Sequence, residues 1–185
     1  RQPSGLTAQI LLWLAVAWSL FQLWYASPLP FMFNFGVLNS TEARSIHLAF
    51  AIFLAFMAYP AFKNSPRSYV PIFDWVLASV GALCAAYIYI FYRDLSDRPG
   101  LPITQDLAVA GVGLVLLLEA TRRALGPPLM CVAILFLAYV FFGNAAWVPD
   151  VLQWAGASFS KAMSHQWITT EGVFGIALGV STSFV

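Results

Sequence analysis

Charge is what this sequence has least of. Only 9% of its 185 residues are Asp, Glu, Lys or Arg, while 61% are hydrophobic. A soluble domain carries about 25% charged residues, because its surface must be solvated. A chain of this size cannot hide so much apolar surface in one core. These proportions exclude an ordinary soluble enzyme or binding domain and predict an all-α integral membrane protein. A net charge of +1 offers no basic field for nucleic acid. Cysteine and histidine are scarce, with 2 of each. Cys84 and Cys131 stand inside apolar runs and read as free thiols that pack as small hydrophobes. His47 and His165 fall toward one end of their segments, not at the central depth that paired haem ligands want. No Cys/His cluster has zinc spacing, and no Gly-rich phosphate-binding motif is present. The reading is a non-enzyme with no cofactor bound in this chain.

What is there is a series of apolar runs broken by short polar turns. Leu6–Ala26 has no charge and is long enough to span the hydrocarbon core as a helix, closed by the interfacial rings Trp24 and Tyr25. "SPLPFMFNFG" breaks the helix but stays apolar, as a re-entrant or interfacial loop would. A second helix opens at "NSTEAR", capped by Ser40 or Thr41 with Glu42 at the positive end of its dipole, and runs to about Phe62. "KNSPRSYVP" is a polar turn. A third helix covers about Pro71 to Tyr92, and "RDLSDRPGLP" is the loop after it. A fourth runs from Thr104 to about Leu125. Its charge-free centre is short, so Arg122 and Arg123 must snorkel to reach the interface. A fifth, Pro127 to Phe142, is a connecting transmembrane helix.

From Val148 to Gln166 the apolar residues Val148, Val151, Leu152, Ala155, Phe159, Ala162 and Met163 recur at helical spacing opposite Asp150, Gln153, Ser160, Lys161 and Ser164. This predicts an amphipathic interfacial helix over 148–168, lying either in the membrane plane or on the protein's own surface. A sixth apolar run begins at "TTEGVFGIALGVSTSFV" and stops inside apolar sequence. The opening residues lack a Met, so a chain continuing at both ends is expected. Lys and Arg near helix ends set orientation. With the N-terminus inside, Arg1, Lys63, Arg67, Arg122 and Arg123 lie on the cytoplasmic side, and Arg44, Arg93, Arg98 and Lys161 lie outside.

In "LLEATRRALGPPLM" Glu119 precedes Arg122 and Arg123 by three and four residues, so all three share one helix face. Gly126 suits the helix end and Pro127 and Pro128 suit the start of the next. The stretch reads as a tight inner hairpin held by its charges. Asp74, at the inner start of the third helix, is read mainly as a residue favoured by the helix dipole. Together Asp74, Glu119, Arg122 and Arg123 are candidates for inner-side anchoring or a module interface. Glu171 reads as a helix cap or, with Arg44, Arg93, Arg98 and Lys161, as part of an outer docking surface.

"EATRRALGPPLMCVAILFLAYVFFG", followed by "TTEGVFGIALGVSTSFV", resembles the fused permeases of tripartite ATP-independent periplasmic (TRAP) transporters, with the TAXI subgroup the best match. The resemblance covers the later third of the chain in wording and the first hundred residues only in layout. It implies a four-helix Q-like scaffold module over 1–126, a connecting helix over 127–147, the interfacial helix over 148–168 and the truncated start of an M-like transport module over 169–185. It also implies a secondary transporter of organic acids in a bacterial inner membrane. A periplasmic TAXI-type substrate-binding protein would be its partner, Na+ or H+ its coupling ion, and the remainder of the M module its other half. The absence of an ATP-binding motif agrees with that class. The competing reading is a non-transporting structural or assembly subunit of another membrane complex; a membrane redox subunit is disfavoured by the histidine count.

Overall fold

The computed structural model describes residues 1–183, and no strand occurs among them. The helices are α1 (Leu6–Ala26), α2 (Leu29–Phe33), α3 (Ser40–Ala58), α4 (Ile72–Ile90), α5 (Tyr92–Asp97), α6 (Thr104–Leu125), α7 (Pro127–Phe142), α8 (Phe159–Met163) and α9 (Ile176–Ser183). A 3-10 turn, Asp150–Leu152, precedes α8, and a π turn, Ser164–Ile168, follows it. Three helices (α1, α3 and α4) are long and apolar enough to cross a membrane, which marks a membrane protein.

The long helices run up and down. Arg1, the C-terminal end of α3, the start of α4 and the end of α6 meet at one end, through Arg1 to the Ala58 and Phe56 carbonyls and Arg123 to Asp74. At the other end α3 and α4 are tied by the Ser45 hydroxyl, which donates to the Ala85 carbonyl at 2.6 Å. The interior is built by α3, α4 and α6, with Ile52, Phe56, Met57, Ala78, Ala85 and Ala110 almost wholly enclosed. Gly81 lets α4 close on α3: a Cβ there would lie 2.6 Å from Ile52 Cγ2. By contrast α1 buries only Gln22 and α7 buries no residue. Their exposed Leu12, Trp13, Leu20, Leu23, Leu135 and Phe136 leave apolar faces for lipid or a neighbouring protein to cover.

Several boundaries differ from the sequence reading. Asn39, rather than Ser40 or Thr41, caps α3: its side chain accepts from the Thr41 and Glu42 amides at 2.9 Å, and Glu42 accepts from the Asn39 amide. This helix ends at Ala58 because Tyr59, at φ −104° and ψ 127°, is forced extended by Pro60. "SPLPFMFNFG" holds a short helix, α2, that leaves Phe31, Met32, Phe33 and Phe35 exposed. After a kink at Phe91 the expected loop continues as α5.

The largest correction concerns 148–168, which is not one amphipathic helix. Pro149 and Gly156, the latter at φ +73°, break it. After the 3-10 turn the backbone is extended at Gln153, and the Trp154 and Ala157 amides donate to the Gly143 and Val140 carbonyls at 3.1 and 3.0 Å. The free carbonyls at the end of α7 thus take donors that a helix would have used internally. The expected common face is split: Val148 is buried and Val151 is 94% exposed. From Ser158 the chain becomes a strap that crosses the bundle on its own surface. Its α8 touches α6 and α7, the π turn touches α6, and α9 reaches α3 and α1. Ala162, Met163, Trp167 and Phe174 join the same core as α3, α4 and α6. The helical part of the expected M-like start begins only at Ile176, and its last residues, 184 and 185, lie outside the described residues.

Candidate functional site

Chemistry-bearing side chains collect at the two ends of the bundle. At the first end Asp74, in the opening turn of α4, is 3% exposed. One carboxylate oxygen accepts from Arg123 Nη1 at 2.8 Å, and the other is bonded to Arg1 Nη2. Glu119 takes a two-pronged contact from Arg122, at 2.7 Å on each oxygen, and a further 2.7 Å bond from Arg123 Nε. Arg122 Nη2 also donates to the Ala61 carbonyl at 3.0 Å. The Arg123 guanidinium lies 4.7 Å from the Phe56 ring centroid and that of Arg122 lies 5.3 Å from Phe62. Every carboxylate oxygen in this cluster has a donor, so it can pin helix ends together but presents no free base or nucleophile. Asp74, Glu119, Arg122 and Arg123, singled out as anchors, are thus brought together. Helix-dipole stabilisation of Asp74 is secondary to two buried guanidinium partners.

At the second end Asp106 is wholly buried in the first turn of α6. Its Oδ1 accepts from the Tyr87 hydroxyl at 2.6 Å and from Arg98 Nη2 at 3.1 Å. Its Oδ2 accepts from Arg98 Nη1 at 2.7 Å and from the Ile103 amide at 2.9 Å. A cavity of about 260 Å³ beside this pair is lined by Thr41, Ser96, Arg98, Asp106, Ser164 and Thr169.

The proposed outer docking residues do not form one surface. Arg44 is turned into the fold: its Nη1 donates to the Phe174 carbonyl at 2.8 Å and its guanidinium packs on Gly179, where a Cβ would be 2.6 Å from Nη2. Arg98 is held by Asp106. Glu171 does not cap α9; it lies before that helix, and its Oε2 is 3.1 Å from His165 Nδ1. Arg93 and Lys161 are exposed and make no ion pair among the described residues. Two buried polar groups, Gln22 and Asp106, escaped the sequence reading. His47, 8% exposed on α3, meets Gln22 and Trp18 of α1: Trp18 Nε1 lies 3.3 Å from His47 Nδ1, and Gln22 is bonded to the same nitrogen. Asp106 was also overlooked, although an acid three residues after Ile103 at a helix start is a capping signal. Gln22, a lone amide in an apolar run, was equally visible as an oddity.

Trp167 completes the geometry. It is fully buried, donates from Nε1 to the Cys84 carbonyl at 3.1 Å and stacks edge-on against Phe174 at 5.5 Å. Its ring occupies the space a side chain at Gly113 would need. Among the described residues no group of three or more His, Cys, Asp or Glu is placed to hold a metal ion. No family model, no curated protein and no solved structure matches this chain.

Proposed function

We propose that the chain is the scaffold part of a TRAP-type secondary transporter permease, importing organic acids handed over by a periplasmic binding protein and driven by a Na+ or H+ gradient. The observation that carries the reading is the docking of "TTEGVFGIALGVS" onto the helices before it. Phe174 sits in their core and Arg44 of α3 binds the carbonyls leading into α9. A scaffold must hold the start of a mobile module rigidly, and buried packing with a guanidinium clasp does so. The polar ends support the same reading: they lock helices to one another and leave no reactive group. The cationic end carrying Lys63, Arg67 and Arg122 faces the cytoplasm of a bacterial inner membrane under the positive-inside rule. Arg93 and Lys161, exposed at the opposite face, are then available to a periplasmic partner.

The test is uptake into proteoliposomes containing the full permease, with candidate acids, the binding protein and an imposed Na+ or H+ gradient. Gradient-dependent uptake that requires the binding protein is expected. Uptake indifferent to its omission contradicts the tripartite reading, and cytoplasmic labelling of a cysteine at position 161 contradicts the orientation. A chain that assembles into another complex and supports no uptake favours a structural subunit instead.

A further inference from the structure

We propose that the cationic end of the bundle holds an anionic phospholipid, with one acyl chain in the groove between α4 and α6. The groove has a volume of about 750 Å³. It lies between the first turns of α4 and the second half of α6. Its walls are Phe73 and Leu77 from α4 and Val115 and Leu116 from α6, and its polar lining is Ser65, Asp74, Glu119, Arg122 and Arg123. Phe73 is 67% and Val115 65% exposed, so the walls are apolar surface with nothing of this chain on them. Lys63 and Arg67 stand two residues to either side of Ser65, are exposed, and make no ion pair among the described residues. The cluster behind them adds no negative field, because three guanidinium groups there face two carboxylates.

An apolar groove with unpaired cations on the adjoining turn matches one chemistry: a hydrocarbon tail joined to a headgroup of net negative charge. A soluble anion would use the cations and leave the groove empty. A zwitterionic lipid would use the groove but bring a quaternary ammonium beside the cations, cancelling the charge of its phosphate. The inference needs only that the chain sits in a membrane and is independent of the transport reading.

Native mass spectrometry of the detergent-purified protein, with phosphatidylglycerol or phosphatidylcholine of identical acyl chains added, tests it. Phosphatidylglycerol is expected to be retained preferentially. Lys63→Ala and Arg67→Ala should each weaken that retention by about fivefold, since a basic residue near an anionic surface contributes about 1 kcal/mol. Both positions are exposed, so thermal midpoints should not move. Val115→Trp, which fills the groove from its open side, should lower retention of phosphatidylglycerol while leaving the cations in place. Inorganic phosphate in excess should not displace the lipid. Equal retention of the two lipids, displacement by phosphate alone, or a Val115→Trp protein that folds and binds as before would each overturn the proposal.

Discussion

The two ends of the bundle solve the same problem in different ways. Both bury an aspartate at the start of a helix. At one end Asp74 is paired with Arg123, 49 residues away, and with Arg1, 73 residues away. At the other Asp106 is paired with Arg98, only 8 residues away, and with Tyr87. The first arrangement joins the N-terminal segment to α4 and α6; the second closes the turn between α5 and α6. In lipid, apolar side chains gain little by meeting one another rather than acyl chains, so packing and polar contacts set which helices associate. A long-range ion cluster therefore acts on tertiary structure, while the short-range pair closes a loop and adds a single neutral tie to α4 through Tyr87. The second end needs another device to hold it, and the strap supplies that through Trp167 and the Arg44 clasp.

The comparison is broken most directly at Asp74. Asp74→Ala leaves Arg1 and Arg123 without their shared carboxylate, and losing one partner of a buried pair costs about 3–5 kcal/mol. A large fall in the thermal midpoint in detergent is expected, and a midpoint equal to that of the parent protein would falsify the anchoring role. Asp106→Asn keeps the shape and the bond from Ile103 but removes the charge facing Arg98. A loss of about 1.5–3 kcal/mol, the range for charge-assisted hydrogen bonds, is expected in the same assay. If it exceeded the Asp74 loss, the contrast between the ends would be reversed. Gly113→Leu collides with the Trp167 ring, and overpacking of this kind costs about 1–3 kcal/mol. Its effect should be local: limited proteolysis is expected to cut within 150–158 sooner, with the α4–α6 ion cluster intact. Unchanged cleavage would mean that the strap is not seated through Trp167. Smallest of all, Arg93→Ala should change the stability by no more than about 0.5 kcal/mol in the thermal assay, as substitutions of exposed unpaired charges do. A larger loss would show a partner for Arg93 in the folded chain.

Much of this architecture was legible beforehand. Leu6–Ala26, Thr104–Leu125 and Pro127–Phe142 were expected at the bounds they have, because apolar length, Gly126 and the Pro127–Pro128 pair are local signals. The Glu119, Arg122 and Arg123 face was legible for the same reason: spacing along one helix fixes it. Pairing across helices was not. Arg1 and Asp74 are neighbours only because α4 and the N-terminal segment end at the same level. The 148–166 periodicity misled because a helical pattern does not say whether backbone donors will be claimed elsewhere, and the end of α7 claimed them. Arg44 was placed on an outer surface because its charge suggested solvent, yet the carbonyls before α9 supply a buried partner that no local pattern announces.

Taken by itself, the order of residues determined that this is a membrane protein, the bounds of α1, α6 and α7, and that its charges gather at helix ends. Those properties depend on hydropathy, prolines and caps within a few residues of each other. Tertiary structure alone decided that Asp74 joins Arg1 to Arg123, that His47 faces Gln22, and that the chain after α7 folds back across its own helices. The physical reason is that each of these contacts exists only once separate helices share a depth and a face, and no residue carries that information alone.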